Sequence, residues 1–131
     1  MSDSGPPTPP APPSLAEYEI SVPGMSEEEL DQQPFGIIKL DRRGRILSYN
    51  LYEEELAQLS RTEVLGKNFF FEVAPCTRVR EFYGRFVEGG EREALRAEFG
   101  FVFPFAYGER RVGISMFYRK ESDAVWVLVR G

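Results

Sequence analysis

Apolar residues recur along this chain in two rhythms, one of period two and one near 3.6, and the changes between them mark the elements. FGIIKLD from Phe35, a charged turn at Arg42-Arg43-Gly44 and then RILSYN predict a β-hairpin. Residues 51 to 65 predict an interrupted helix: Leu51 to Leu59 carry an acidic face at Glu53-Glu54-Glu55, Ser60-Arg61-Thr62-Glu63 offers a capping box, and Gly66 a stop. Val79, Phe82, Tyr83 and Phe86 share one side of a longer helix over Val79 to Glu88, ended by Gly89-Gly90. The last third alternates: Phe99, Phe101, Phe103 and Phe105, then Val112, Ile114 and Met116, then AVWVLV. With turns at Tyr107-Gly108-Glu109 and Glu121-Ser122-Asp123, this predicts a three-stranded antiparallel meander. Pro104 has no N–H to donate and falls opposite the Phe stripe, which predicts an irregular or edge position.

Ahead of the hairpin, residues 2 to 13, SDSGPPTPPAPP, hold six of the ten prolines and predict an extended, disordered tail. Ser14 with Glu17 and Ser26 with Glu29 each fit a capping box, predicting two short helical turns around the breaker Val22-Pro23-Gly24. The expected organisation is a tail over 1–13, an N-terminal cap over 14–34 and a core over 35–131. Two strands, short helices, one longer helix and three strands make an α+β pattern in the order of a PAS-type domain. Such a domain has a five-stranded antiparallel sheet with helices on one face, here short ones and one longer.

Composition narrows the function. At 131 residues the chain suits one core, and eleven Phe predict an aromatic one. Lys and Arg number 16 against 21 acidic residues, with no basic cluster among aromatics, which argues against nucleic acid as a partner. No apolar run approaches a membrane span and no signal-type leader opens the chain, so a cytoplasmic protein without membrane contact is expected. With no His and one Cys, the chain lacks a Ser/His or Cys/His pair, a His metal ligand and an intrachain disulfide.

The single cysteine sits in FEVAPCT, Phe71 to Thr77. It reads either as a small buried hydrophobe or as a reactive thiol. Thr77 is placed to cap a helix beginning near Val79, which would set Cys76 by a helix N-terminus where the dipole favours a thiolate. Tyr49 and Glu53, four residues apart, address one place if the stretch is helical. Taken alone they read equally as an end-of-strand aromatic and a solvated helix face.

Phe35 to Val129 resembles the photoactive yellow protein family, blue-light receptors with a PAS-type fold. The resemblance is carried by GKNFF at Gly66 to Phe70, VAPCT at Val73 to Thr77, EFYG at Glu81 to Gly84, Tyr49-Asn50 and Trp126-Val127. It implies p-coumaric acid (4-hydroxycinnamic acid) held as a thioester on Cys76. Tyr49 and a protonated Glu53 would donate hydrogen bonds to its phenolate, and Ile38, Phe69, Val73, Ala74, Thr77 and Phe103 would line the pocket. It further implies trans-to-cis isomerisation by light, transfer of the Glu53 proton, release of an N-terminal cap with few core contacts, thermal return in the dark, and no enzymatic turnover.

Four pocket positions depart from the family pattern. Ala57 stands for a threonine that supports the tyrosine, Leu59 for an arginine that covers the chromophore, Phe105 for a tyrosine, and Tyr107 for a methionine tied to rapid dark return. The first 34 residues lack a clear match. A downstream signalling protein of unknown identity, reached by contact, is the expected partner of a monomer or weak homodimer. The main rival reading is a chromophore-free PAS module for ligand binding or dimerisation. A peroxide-reactive thiol enzyme is a third class, disfavoured by the absence of His and of a resolving Cys. The methionine replacement predicts slow dark recovery, accelerated in Tyr107→Met; equal recovery rates in wild type and variant, followed by absorption after a light pulse, would remove that role for position 107.

Overall fold

The computed structural model describes residues 14–131; the proline-rich tail, 1–13, lies outside the described residues. Its centre is one five-stranded antiparallel sheet. The strands are β1 (Gly36–Leu40), β2 (Ile46–Tyr49), β3 (Arg96–Phe105), β4 (Gly108–Arg119) and β5 (Ala124–Arg130), in spatial order β2-β1-β5-β4-β3. The predicted hairpin and meander both form, and β5 seats between them because its alternate residues are buried on both sides. β3 is an edge strand, so Pro104, paired in register with Glu109, costs no ladder bond on its outer side. The turn into β4 is two residues, Ala106-Tyr107, because Phe105 already pairs with Gly108.

Between β2 and β3 run α3 (Leu51–Ala57), α4 (Arg61–Val64), a π turn over Phe69–Val73, a 3-10 turn over Pro75–Thr77, a second π turn over Arg80–Gly84, and α5 (Arg85–Arg92). They cover the sheet face that carries Ile38, Leu40, Val112, Ile114, Met116, Val125, Val127 and Val129. Phe70 lies at the centre of this aromatic core, with ring centroids of Phe69, Phe82, Tyr83 and Phe86 all within 5.7 Å of its own.

Three expectations about the helices and the N-terminal segment are corrected. The longer helix does not end at Gly89-Gly90. Both glycines lie inside α5, which runs to Arg92 and stops at Glu93 in the left-handed region, φ 52°. Gly89 is there for proximity: a Cβ would come 2.6 Å from the Leu95 Cβ, so only a glycine lets the following strand connection pack so close. Nor do all helices sit on one face, and the N-terminal segment has more than a few core contacts. α1 (Leu15–Ser21) and α2 (Glu27–Asp31), each opened by the predicted capping box, cover the opposite face. There Tyr18, Val22 and Leu30 bury against Phe35, Ile37, Phe117, Trp126 and Leu128, a second core behind the first.

The two glycines of α5 should respond oppositely to the same change. Gly90→Ala meets nothing within 4 Å and should stabilise by up to ~1 kcal/mol through helix propensity. Gly89→Ala collides with Leu95 and should lose about 1–3 kcal/mol by overpacking; thermal melts of the pair moving in the same direction would refute the packing account.

Candidate functional site

Asn50 organises the junction between β2 and α3. Its side-chain oxygen caps α3 by accepting the Glu53 N–H at 3.1 Å and also accepts the Ile37 N–H at 2.9 Å. Its amide donates to the carbonyls of Leu30 at 2.8 Å and Phe35 at 3.0 Å. Fully buried and fully used, this one side chain fixes where α3 starts relative to β1 and to α2. Tyr49, the last residue of β2, pairs across the ladder with Ile38, and Glu53 follows in the first turn of α3.

Glu53 therefore turns inward, with 4% of its surface exposed, and its Oε1 has no hydrogen-bond partner. Space for it comes from β1. A Cβ at Gly36 would overlap Glu53 Oε1, so position 36 must be a glycine for the carboxyl to lie there. Burial without a cation penalises the charged form and pushes the Glu53 pKa up to about 8, which keeps it protonated at neutral pH. The phenol of Tyr49 is shifted upward as well, chiefly by burial and secondarily by the charges that Glu53 and Glu54 can carry.

The cysteine is held by a loop tied to the β1–β2 turn. Asn68 accepts the N–H groups of Phe70 at 2.9 Å and Phe71 at 3.1 Å while donating to the Arg43 carbonyl at 2.8 Å, and the Phe69 N–H reaches the Gly44 carbonyl at 2.8 Å. Gly44, at φ +93°, takes the left-handed conformation that this hairpin turn needs. Cys76 then sits within the 3-10 turn Pro75–Thr77, half-buried.

Here the sequence reading is corrected again. Thr77 does not cap the next helical segment: its hydroxyl donates to the Ala74 carbonyl at 2.6 Å, and that segment starts only at Arg80 with no side-chain cap. The thiol pKa is shifted upward by burial, which outweighs its own backbone N–H, so no thiolate is favoured in the folded protein.

One cavity of about 350 Å³ collects these groups. Of the thirteen residues singled out from the sequence, Tyr49, Glu53, Ala57, Leu59, Phe69, Val73, Ala74, Cys76, Phe103 and Phe105 line it. The other three do not. Ile38 is buried in the same core behind Tyr49, Thr77 is buried within its own turn, and Tyr107 stacks on Phe105 with ring centroids 5.3 Å apart. The Tyr107 hydroxyl donates to the Leu56 carbonyl at 2.7 Å, joining the β3–β4 turn to the last turn of α3.

Gln58, Pro75, Pro104 and Ala106 also line the cavity and were not singled out from the sequence as site residues. Gln58, at φ 59°, ends α3 in the left-handed region, a position no local sequence signal marks. Pro104 and Ala106 lie at the end of β3 and in the turn that follows it. Gly36 was missed for a plainer reason: its role depends on a side chain seventeen residues away.

Comparison with known proteins agrees with this fold. A family model, the PAS fold, covers residues 24–128. The photoactive yellow proteins of Halochromatium salexigens and Rhodothalassium salexigens are each 39% identical over 114 residues, 87% of this chain and 91% of theirs. A match of that length cannot fit within 35–131, so it extends into the N-terminal segment, which corrects the expectation that the first 34 residues lack one. The crystal structure of the photoactive yellow protein domain from the sensor histidine kinase Ppr of Rhodospirillum centenum superposes with a TM-score of 0.81 at 40% identity, covering 85% of this chain and 97% of that one. No helix among the described residues is long and apolar enough to cross a membrane. On these grounds the chain belongs to the photoactive yellow protein family of PAS-fold photoreceptors, a sensory rather than an enzymatic family.

Proposed function

We propose that this chain senses blue light through p-coumaric acid (4-hydroxycinnamic acid) carried as a thioester on Cys76. The observation that carries the reading is that Cys76 and the partnerless Glu53 carboxyl face one cavity. The residues present fit such a group. The cavity is at the small end of the roughly 300–1,000 Å³ usual for ligand pockets, its wall is mostly aromatic and aliphatic, and none of its lining residues is a cation. A phenolate held there would depend on O–H donors, which Tyr49 and a protonated Glu53 supply.

When bound, the acid supplies a light-driven trans-to-cis isomerisation of its double bond. Cys76 would hold the carboxyl end: its Sγ bonds the acyl carbon of an activated p-coumarate while the activating group leaves and takes up the S–H proton, and the half-buried position of Cys76 would shield the ester from water. Ile38, Phe69, Val73, Ala74, Thr77, Phe103, Phe105, Leu59, Ala57 and Tyr107 make up the surrounding shell, those outside the cavity wall acting through the residues in front of them. Tyr49 and Glu53 bind the phenolic end. Glu53 would be the proton store, its carboxyl proton passing to the phenolate oxygen and leaving Glu53 as a carboxylate.

The carboxylate left behind is buried with no cation beside it, a cost of several kcal/mol that favours loosening of α3. Asn50 connects that movement to the cap, proposed as residues 14–34, through the Leu30 carbonyl, and holds the first residue after the cap through the Phe35 carbonyl. Dark recovery returns the proton to Glu53 and recloses the cap on the core, proposed as 35–131. Ppr is by its name a sensor histidine kinase; here the reader of the signal is a partner reached by contact, with the sensor itself a cytoplasmic monomer or weak homodimer.

Incubation with an activated p-coumaric acid should add one coumaroyl unit by intact mass and give a blue-absorbing band that bleaches in blue light and returns in the dark, with no adduct on Cys76→Ser. Folded wild type that takes up no acid, or whose adduct is inert to light, would make this a chromophore-free PAS module.

Before attachment, Glu53 also predicts a pH dependence. Folded protein keeps this proton up to about pH 8, whereas an unfolded glutamate loses it near 4.5. Between those values the folded state binds more protons, so unfolding free energy falls as pH rises and levels off above about 8. Denaturant titrations of chromophore-free protein from about pH 5 to about 8 should show this decline, and Glu53→Gln should flatten it; an unchanged slope in the variant would assign the decline to another group.

A further inference from the structure

The arginine missing from position 59 has a counterpart two residues on that points elsewhere. Arg61, the first residue of α4, places its Nε 2.9 Å from Glu54 Oε1 and its Nη2 3.0 Å from Asp31 Oδ1. Both carboxylates are used twice. Glu54 Oε2 accepts the Arg61 backbone N–H at 3.0 Å, and Asp31 Oδ1 accepts the N–H of Leu51, the first residue of α3, at 2.9 Å. One guanidinium thus joins the end of α2, the helix that carries Glu53, and the start of α4.

These helices need an outside tie. They have 5, 7 and 4 residues, all below the length at which a helix holds itself in water. The side chains of Arg61, Asp31 and Glu54 are 28%, 29% and 21% exposed, shielded enough for the bonds to matter and open enough for salt to reach them. Leu51 and Glu53 lie on the same turn of α3, so the N–H that Asp31 accepts is two residues from the buried carboxyl.

We propose that Arg61 is a positioning residue that couples the seating of the N-terminal cap to the Glu53 helix, and that ionic strength tunes this coupling. When α2 leaves, the Arg61–Asp31 bond breaks and the start of α3 loses a cap; when α3 shifts, Glu54 carries Arg61 with it and pulls on α2. The structural half stands on the contacts alone, whereas its effect on light signalling rests on the photoreceptor reading above.

Amide hydrogen exchange of the dark protein tests the structural half, with Arg61→Gln and Arg61→Lys beside wild type. Exchange at Leu51 and Leu30 should rise roughly fivefold in Arg61→Gln, the scale of a partly exposed ion-pair network, while amides of β4 and β5 stay unchanged. Raising salt from about 0.05 to about 0.5 M should do the same to wild type and nothing to Arg61→Gln, and Arg61→Lys should recover part of the protection. A uniform rise across all amides, or none at Leu51 and Leu30, would overturn the proposal. In chromophore-loaded protein, Arg61→Gln should lengthen the bleached state and abolish its salt dependence; an unchanged lifetime would overturn the coupling. Failure to load the chromophore would sink the photoreceptor reading and leave the exchange results to decide the role of Arg61.

Discussion

A carboxyl group buried without a partner is the constraint around which this structure is arranged. A partnerless polar atom in a core is unfavourable by an amount comparable to a whole hydrogen bond or more, so it persists only where its surroundings force it. Three features do so here. Asn50 sets the start of α3 and turns Glu53 inward, Gly36 leaves the space its Oε1 occupies, and the cavity wall offers no cation to draw its proton away. The resulting neutral acid is held in place at a cost to stability.

The arrangement also explains why Asn50 spends every hydrogen bond it has. An amide cap that served only α3 would leave the N-terminal segment without a buried hydrogen bond to this junction. By donating to Leu30 and Phe35 as well, Asn50 makes the helix start and the seating of the cap one structural decision. Arg61 makes a similar connection nearer the surface, with charge in place of a buried amide. The two links differ in what disturbs them, since a buried neutral bond is little affected by salt and a half-exposed ion pair is.

Much of this was legible in the sequence because strands and caps speak locally. The Phe stripe of β3, the two Ser-x-x-Glu boxes and the hairpin at Arg42-Arg43-Gly44 each rest on a few neighbouring residues, and each element formed where it was expected. Misreadings arose where a distant contact overrode the local signal. Gly89-Gly90 read as a helix stop, yet Leu95 needs the missing Cβ while Glu93 ends the helix. Thr77 read as a cap but satisfies its hydroxyl on the residue three before it. Gly36 carried no visible signal, because its importance lies in the carboxyl of another element.

The two cores stand back to back on one sheet, and Ile37 and Ile38, adjacent in β1, belong to different ones. Strand β1 pairs with β5 residue for residue along its length, so it has little freedom to slide or tilt alone. The sheet is therefore a wall shared by two chambers: Ile38 and Tyr49 belong to the core on one side and Ile37 to the core beneath the N-terminal segment on the other. Only the thickness of a single strand separates the two.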